Sequence, residues 1–471
     1  MSVVDLPLVE VSDRIRRGEL TSLAVTQQLL DRIERLDDAI GAFSFVAAEE
    51  ALARAASLDA EVAKGMSRGA LHGVPIAVKD IFDVDGWPSE IGMPSRRGAV
   101  SRGSCTAVTR LTEHGAVIVG KVHTTEGVYA EHTDPFRAPR NPWNPDRWVG
   151  ASSSGSAAAV AARLAYAALA SDTGGSIRMP SAVTGSTGIK PTWGRVSRAG
   201  VFELAASLDH VGVMARSAVD AAVVLQAIAG ADEADPTAAL EPVPHFDAPV
   251  GDLRGVVVGV DGAWIDEDVE PEVAHAVRHM VDVLTSLGAQ VLPVSLPDPH
   301  QANEDWFGIC GVQAARGHHD NFAARGGEYG KALADLITLG AGLTAVDYDR
   351  LLVRRAAFAG RMRAAVGTVD AVVMPALPFV TPPAADMVAM SSDTVARIHR
   401  FTVPFTMSGL PSVTLPVGFD RVGMPIGGQV VAGPFREDVT VRIAAAFQAV
   451  TSWHLVAPEL DQQTAGVSQR H

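Results

Sequence analysis

Cysteine is nearly absent from this chain, which has only Cys105 and Cys310 among its 471 residues. The two lie far apart, and neither belongs to a Cys-x-x-Cys pair or to a cysteine and histidine spacing that would hold zinc. The fourteen histidines also form no His-Glu-x-x-His pattern. We therefore expect no disulfide framework, no metal site and a reducing compartment.

Long apolar runs and basic clusters are missing as well. The alanine-rich stretch over residues 157–170 is interrupted by Arg163 and falls short of the ~20 apolar residues that a bilayer-spanning helix requires. The net charge of −15 would repel phosphate backbones. We expect neither a membrane nor a nucleic acid as a partner, and small molecules are the favoured ligands.

The first fifteen residues include Asp5, Glu10 and Asp13 and lack a basic segment followed by an apolar run. This composition is not typical of a signal peptide. Together with the scarcity of cysteine, it predicts a cytoplasmic protein. Hydrophobic residues make up 47% of the chain, which predicts a large and well-packed core.

Lysine is the rarer cation, since only five of the 39 lysine and arginine residues are lysine. Lysine can lose its proton near neutral pH and arginine cannot, so a retained lysine can reflect a need for a free amine. Lys79 and Lys121 each follow an apolar run, where burial would lower the pKa of the amine. This argument leaves both open as a general base, and a solvated strand end is the alternative for either.

Helical and apolar segments alternate along the chain. Turn and periodicity signals predict helices over about residues 47–64, 106–114 and 271–287, and short strands over residues 76–78, 116–119, 256–260, 291–294 and 370–374. An order of strand, helix and strand is the unit of a parallel or mixed sheet. The predicted fold class is α/β, with a large, mixed and mostly parallel sheet covered by helices on both faces.

We predict a single domain over residues 1–471. Its first part, residues 1–65, reads as a helical layer, because Val25, Leu29 and Ile33 recur at helical spacing behind Ser22 as a predicted N-cap. Residues 66–230 are predicted to form the catalytic core. Residues 231–471 would complete the sheet and the substrate pocket, with an arginine-rich surface helix over residues 351–366 whose charges are solvated.

Two serine- and glycine-rich turns bracket the stretch 157–170, which its alanine content predicts to be one buried helix. In the second turn, Gly174 and Gly175 free the backbone before Ser176, so several N–H groups can converge beside a hydroxyl. An acyl-transfer enzyme needs such donors for the oxyanion of its tetrahedral intermediate. A serine-capped tight turn is the alternative. A nucleotide-binding loop is disfavoured, because the stretch lacks Gly-Lys-Ser/Thr.

The order of several motifs resembles the amidase signature family. The resemblance covers most of the chain and is carried by residues 72–80, Arg140-Asn141-Pro142-Trp143, residues 150–198, Ser207-Leu208-Asp209, Gly409-Leu410-Pro411 and Met424-Pro425-Ile426-Gly427. In that family two serines and a lysine perform acyl transfer, and the peptide bond at one of the serines is cis. The resemblance implies Ser176 as nucleophile, Ser152 at the cis bond as proton relay, and Lys79 as general base.

The same resemblance implies the supporting residues. The backbone N–H groups of Thr173, Gly174 and Gly175, with that of Ser176, would form the oxyanion hole. Three further residues are expected to fix the shape of the loops, namely Asp172, Arg178 and Ser153. No cofactor is implied, since a serine mechanism needs no Lewis acid.

Small departures from the family pattern bear on geometry and subclass. The family usually has glycine where this chain has Ala151 and Ser154, which alters the fine geometry of the first turn. The A-type subunits of glutamine-dependent tRNA amidotransferases typically have glutamine at the position of Met179 and a longer loop before Arg140. A free-standing amidase acting on a small carboxamide is therefore the leading hypothesis, and an A-type subunit of such an amidotransferase is the alternative.

The identity of the amide is not encoded in these shared motifs, because pocket walls come from variable loops. Aromatic and histidine side chains near the motifs are the candidates for substrate contact: Tyr129, His132, Phe136, Trp306 and Phe307. If they line the cleft, an aryl or other apolar acyl group is favoured over a charged one. Ordinary core aromatics are the alternative. A homodimer is left open as the oligomeric state.

Overall fold

A single β-sheet connects distant parts of the chain. The structure is a computed structural model that describes residues 2–246, 251–388 and 390–460. The described residues contribute 11 strands, which are β1 (Phe43–Val46), β2 (Pro75–Lys79), β3 (Val117–Val122), β4 (Ala167–Asp172), β5 (Thr187–Lys190), β6 (His210–Ala215), β7 (Val257–Val260), β8 (Gln290–Pro293), β9 (Ala371–Pro375), β10 (Ser412–Phe419) and β11 (Pro425–Ala432). Their spatial order is β1-β3-β2-β4-β6-β5-β10-β11-β9-β7-β8.

Helices cover the sheet. Within the described residues they are α1 (Leu8–Arg16), α2 (Ser22–Ile40), α3 (Ala48–Val62), α4 (Thr106–Glu113), α5 (Ser154–Ala161), α6 (Arg178–Thr184), α7 (Ala218–Ile228), α8 (Gly262–Asp266), α9 (Pro271–Ser286), α10 (His300–Arg325), α11 (Lys331–Gly342), α12 (Ala345–Val366), α13 (Ser392–His399), α14 (Val403–Met407) and α15 (Glu437–Val450). Every residue of β2, β4, β6 and β11 is buried, as expected for strands covered on both faces. The α5 and α6 helices contact each other over one part of the sheet, and α7, α9 and α15 form another packed group.

The predicted α/β class with a large mixed sheet is confirmed. The expectation of mostly parallel pairing is wrong in detail. Parallel pairs occur at β2–β3, β2–β4, β7–β8 and β7–β9, whereas the other neighbours are antiparallel. The helices predicted over residues 47–64, 106–114 and 271–287 correspond to α3, α4 and α9, and each of the five predicted strands overlaps an observed one.

The alanine-rich stretch is not one helix. Its first part belongs to α5, which ends at Ala161, and its last part is the central strand β4. That strand pairs with β2 on one side and β6 on the other. Alanine has a high helix propensity, but tertiary pairing overrides propensity at a buried position between two strands.

Two local predictions also need correction. Thr21, and not Ser22, caps α2, since the Thr21 side chain accepts the Ala24 N–H, while Ser22 Oγ donates to the Gly73 carbonyl. The arginines of α12 are not all solvated. Arg355 donates to Ser207 and Met407, and Arg363 donates to the Ser408 carbonyl, so this helix is bound to the end of α14.

The predicted domain also includes residues 1, 247–250, 389 and 461–471, which lie outside the described residues. Strands of the one sheet come from residues 1–65, 66–230 and 231–471. No described helix is both long enough and apolar enough to cross a membrane.

Candidate active site

The side chain of Lys79 lies at the carboxyl end of β2 and is completely buried. Its Nζ is within hydrogen-bond distance of three hydroxyl oxygens. These are Ser152 Oγ at 2.8 Å, Ser153 Oγ at 3.0 Å and Ser171 Oγ at 3.0 Å. Within the described chain, Lys79 has no carboxylate within ion-pair distance, so its contacts are hydroxyl groups.

Burial lowers the pKa of Lys79 to about 7, although the negative charges of Asp172 and Asp209 act in the opposite direction. Removal from water disfavours the charged ammonium, which explains the direction of this shift. A lysine with such a pKa is neutral in a large part of the population near pH 7. It can then accept a proton from a hydroxyl at hydrogen-bond distance.

The other two lysines near the serine turns have different partners. Lys121 Nζ forms a buried ion pair with Asp80 at 2.8 Å and donates to the Pro88 carbonyl at 2.7 Å. Lys190 Nζ donates to the carbonyls of Pro191 and Leu410. Of these three amines, Lys79 alone contacts serine hydroxyls, which separates it from Lys121.

The first serine turn places Ser152 and Ser153 against Lys79. The Ala151–Ser152 peptide bond is cis, as the family resemblance implies. Gly150 has φ +85°, and a Cβ at that position would lie 2.4 Å from Pro180 Cα, so only glycine fits there. Ser153 Oγ donates to the Ser171 carbonyl at 3.2 Å, which joins this turn to the end of β4.

The second turn is shaped by the carboxylate of Asp172. It accepts the N–H groups of Gly175 at 2.8 Å and Ile177 at 3.1 Å. It also accepts two bonds from the Arg178 guanidinium, Nη2 at 2.7 Å and Nε at 3.0 Å. Burial opposes ionisation of Asp172, but Arg178, with a smaller effect from Lys190, holds the pKa of Asp172 well below its usual range. The expected Asp172–Arg178 pair is present and fully buried.

One hydrogen bond changes the expected set of oxyanion donors. The Gly175 N–H already binds the Asp172 carboxylate, so it is not available to a substrate. In the part of the chain that the structure describes, the N–H groups of Thr173, Gly174 and Ser176 have no protein acceptor. These three are the donors that the turn can offer to a developing oxyanion.

Residues far along the chain hold the second turn from the opposite side. Trp306 Nε1 donates to the Thr173 carbonyl at 2.7 Å, and Thr402 Oγ1 donates to the Gly174 carbonyl at 2.6 Å. The Thr173 hydroxyl donates to Asp209 at 2.6 Å. The sequence offered no pattern that points to Thr402, because its role depends on the long-range placement of α14.

The second turn borders a cavity of about 660 Å³, whose lining includes Ser152, Thr173, Gly174 and Ser176. Its walls come from the loop over residues 128–131, from α6, α10, α11 and α13, and from the segment that leads into α13. Most of the wall residues are apolar or aromatic, and they include Val128, Tyr129, Trp148, Met179, Leu204, Trp306, Phe307, Leu336, Leu339, Met387, Met390, Val395 and Ile398. A cavity of this size and composition is typical of a site for a small organic molecule.

The predicted substrate contacts divide into two groups. Tyr129, Trp306 and Phe307 line the cavity, whereas His132 and Phe136 do not. His132 Nε2 instead lies 3.0 Å from Ser154 Oγ, at the start of α5, and burial lowers the pKa of His132 to about 3. Phe136 is half-buried outside the cavity. Side-chain type indicated aromatic contact, but it could not give the direction in which each side chain points.

The sequence also missed several wall residues. His399 packs against Trp306, with ring centroids 5.0 Å apart, and lines the cavity at the end of α13. Lys331 and Asp335 form an exposed ion pair of 2.5 Å at another part of the lining. These residues lie outside the serine motifs, and no spacing pattern links them to the site.

Comparison with known proteins agrees with this geometry. A model of the amidase family matches residues 24–441. AmiD of Mycobacterium tuberculosis, which is named as a presumed amidase, is 42% identical over 97% of this chain and 96% of its own length. The A-type subunit of glutamyl-tRNA(Gln) amidotransferase from a Roseiflexus species is 37% identical, covering 97% of this chain and 98% of the relative.

A solved structure extends the likeness to the fold. The peptide amidase of Stenotrophomonas maltophilia matches with a TM-score of 0.83 at 28% identity. The match covers 97% of this chain and 98% of that protein. The sheet and its helices are thus shared over nearly the whole length of both chains.

Proposed function

Because this chain belongs to the amidase family, we propose that it hydrolyses the C–N bond of a linear, small-molecule carboxamide through an acyl-Ser176 intermediate. The observation that carries the proposal is the contact of 2.8 Å between Lys79 Nζ and Ser152 Oγ in a buried site where no described carboxylate pairs with the amine. A depressed lysine pKa beside a serine hydroxyl is the arrangement that a proton relay needs.

In the first half of the reaction, Ser176 Oγ attacks the carbonyl carbon of the amide. Its proton passes to Ser152, and the proton of Ser152 passes to neutral Lys79. The negative charge on the carbonyl oxygen is stabilised by the N–H groups of Thr173, Gly174 and Ser176. The C–N bond then breaks, and the relay returns the proton to the departing nitrogen, which leaves as ammonia or an amine.

In the second half, water attacks the acyl-serine ester. Lys79 and Ser152 accept the proton of the water, and Ser176 regains its proton as the carboxylic acid leaves. The buried pair of Asp172 and Arg178 touches neither bond that breaks. Its role is to hold the loop that carries Ser176, since Asp172 binds the backbone on both sides of that serine.

The proposed substrate is a primary or secondary amide with an apolar acyl group, as supported by the wall composition. The charged side chains along the described cavity wall are Glu131, Lys331 and Asp335, and Lys331 is paired with Asp335. An acyl group with a negative charge would lose hydration and would find Lys331 already paired with Asp335. Aryl and alkyl amides avoid that cost.

A second function has support in the likeness to the A-type subunit of glutamyl-tRNA(Gln) amidotransferase. In that function the chain would release ammonia from glutamine within a complex. The apolar cavity favours the free-standing hydrolase, because glutamine would bring both an ammonium and a carboxylate into it. The proposed hydrolase would instead bind a small carboxamide as its substrate.

The test measures ammonia release by the purified chain alone from a panel of aryl amides, alkyl amides and glutamine, with gel filtration of the same sample. We expect turnover of apolar amides and little turnover of glutamine. Turnover of glutamine alone, or turnover only after a partner protein is added, would favour the amidotransferase function. The elution volume decides between monomer and homodimer.

A further inference from the structure

His399 is a polar residue in an otherwise mostly apolar cavity wall. It is the last residue of α13, and its exposed fraction is 8%. Its ring is 5.0 Å from the Trp306 ring and meets the Phe307 ring edge-on at 5.7 Å. Both aromatic residues line the same cavity, so the imidazole forms part of one surface with them.

The tautomer of His399 follows from its partner. The ring Nδ1 lies 2.9 Å from the carbonyl oxygen of Val395. A carbonyl oxygen can only accept, so Nδ1 carries the proton and donates it. Burial lowers the pKa of His399 to about 4. The imidazole is therefore neutral near pH 7, and its Nε2 presents a lone pair.

Among the described residues that lone pair has no hydrogen-bond partner, and the imidazole is part of the cavity lining. The residues beside it on the wall, Met387, Val395 and Ile398, offer only apolar side chains. An acceptor that is left unpaired after a ligand has displaced the water costs free energy. A ligand that carries a donor at this place avoids the cost.

His399 is also close to the reacting loop. The Thr402 N–H donates to the His399 carbonyl at 3.1 Å, and the Thr402 hydroxyl donates to the Gly174 carbonyl. Trp306, on which the imidazole packs, lies directly over Gly174, where an added Cβ would be 2.7 Å from the indole. Trp306 therefore lies against both the imidazole and the loop whose N–H groups are proposed to bind the oxyanion.

We propose that His399 is a specificity-determining residue whose Nε2 accepts a hydrogen bond from an O–H or N–H group on the acyl part of the substrate. This inference rests on the proposed amide hydrolysis. It narrows the substrate class to amides with an apolar, ring-sized acyl group that bears a neutral hydrogen-bond donor. An ether or a carboxylate at the same place has only acceptor atoms, and their lone pairs would repel the lone pair of Nε2.

The experiment compares matched primary amides, in which the departing group is always ammonia. Benzamide, phenylacetamide and 3-phenylpropanamide are used with hydroxyl, methyl or methoxy at each ring position, and kcat/KM is measured by ammonia release. For at least one ring position we expect the hydroxyl compound to exceed its methyl and methoxy analogues by about tenfold, the size of one neutral hydrogen bond.

Two variants assign this preference to His399. His399→Phe keeps an aromatic ring against Trp306 but removes the acceptor, so the ratio of kcat/KM between the hydroxyl compound and its methyl analogue should fall to about one. His399→Asn keeps a carbonyl acceptor and should retain part of the preference. Circular dichroism and the thermal midpoint verify folding of both variants.

The absence of a hydroxyl preference in every wild-type pair would overturn the inference, as would a preference that survives in His399→Phe. If no amide is turned over, the proposed function fails separately. In that case, calorimetry measures the affinity of Ser176→Ala for the same pairs of compounds and still tests the role of His399. Stronger binding of the hydroxyl members supports the inference, and equal binding of each pair overturns it without reference to turnover.

Discussion

The amine of Lys79 lies 2.8 Å from the Ser152 hydroxyl, and the Lys79 side chain is completely buried. Two more hydroxyls, of Ser153 and Ser171, complete its surroundings. This environment combines strong desolvation with neutral partners, so it favours the uncharged amine. The pH dependence of the proposed reaction should follow from this one group.

We expect the acylation rate to rise with pH through about 7 and to level off above it, because the pKa of Lys79 is lowered to about 7 and the base form is the neutral amine. Lys79→Arg should be nearly inactive, since a guanidinium keeps its proton. Lys79→Ala should be comparably impaired. Single-turnover acylation rates from pH 5 to 9 measure this limb without interference from product release.

Lys64→Arg is the matched control for that experiment, because Lys64 is exposed at the end of α3. It should reproduce the wild-type profile. If Lys79→Arg kept most of the wild-type rate, Lys79 would be a structural cation and the Ser176 proton would need another route.

Ser176→Ala should abolish turnover while leaving the fold intact, because only a hydroxyl at a turn is lost. Intact mass spectrometry checks the assignment directly. A fluorophosphonate should add one mass increment to the wild type and to the exposed-site control Ser57→Ala, and none to Ser176→Ala. Covalent labelling that persists in Ser176→Ala would place the nucleophile elsewhere.

Arg178→Met should lower the free energy of unfolding by about 3–5 kcal/mol, because it leaves the buried Asp172 carboxylate without its cation. Urea unfolding at pH 7 measures the change. Arg254→Met, which breaks an exposed pair with Asp252, should change stability little. A comparable decrease in the free energy of unfolding of both variants would show that burial does not determine how much the Asp172–Arg178 pair contributes to stability.

The decrease in the free energy of unfolding caused by Arg178→Met should depend on pH in a defined direction. The folded pKa of Asp172 lies below its value of 3.8 in an unfolded chain. Its stabilising contribution is therefore complete above about pH 3.8 and is lost as the pH falls through the lower, folded pKa. In acid, the difference in stability between wild type and Arg178→Met should shrink.

Gly174→Ala should reduce kcat/KM by at least about tenfold, because the new Cβ would lie 2.7 Å from Trp306 Cζ2 and would displace either the indole or the second serine turn. Adding Trp306→Leu should restore part of the activity, so that the two changes are not additive. Steady-state kinetics of both single variants and the double variant measure this coupling. Gly360→Ala, a glycine with open space around it, is the control, and simple additivity would exclude the steric explanation.

Periodicity predicted most of the helices and the mixed sheet, and the family resemblance implied that Ser152 acts together with Lys79. Ser171, the third serine at Lys79, was not predicted. The sequence did not predict β4, since alanine favours a helix in isolation and only pairing with β2 and β6 makes this segment a strand. It could not choose between Lys79 and Lys121 on physical grounds. The difference between them is the partner, a group of hydroxyls for one and Asp80 for the other.

The cavity wall was the least predictable part. Trp306 and Phe307 were found by residue type, but the same criterion also selected His132 and Phe136, which lie outside the cavity. His399 and Thr402 were missed, because their contacts depend on how α13 and α14 return to a loop more than two hundred residues earlier. Local sequence patterns carry no information about such a return.

The hydrogen bond from the Thr402 hydroxyl to the Gly174 carbonyl has a consequence during protein synthesis. Arg178 donates to the Thr402 carbonyl, 224 positions later in the chain, and β5 obtains its neighbour β10 only after that segment has been made. A nascent chain that has already exposed Lys79, Ser152 and Ser176 from the ribosome thus lacks the residues that hold its reactive loop. Contacts of this sequence separation form late in folding. We therefore expect the proposed hydrolytic activity only from a chain that extends past β10, and no amide turnover by fragments cut before Thr402.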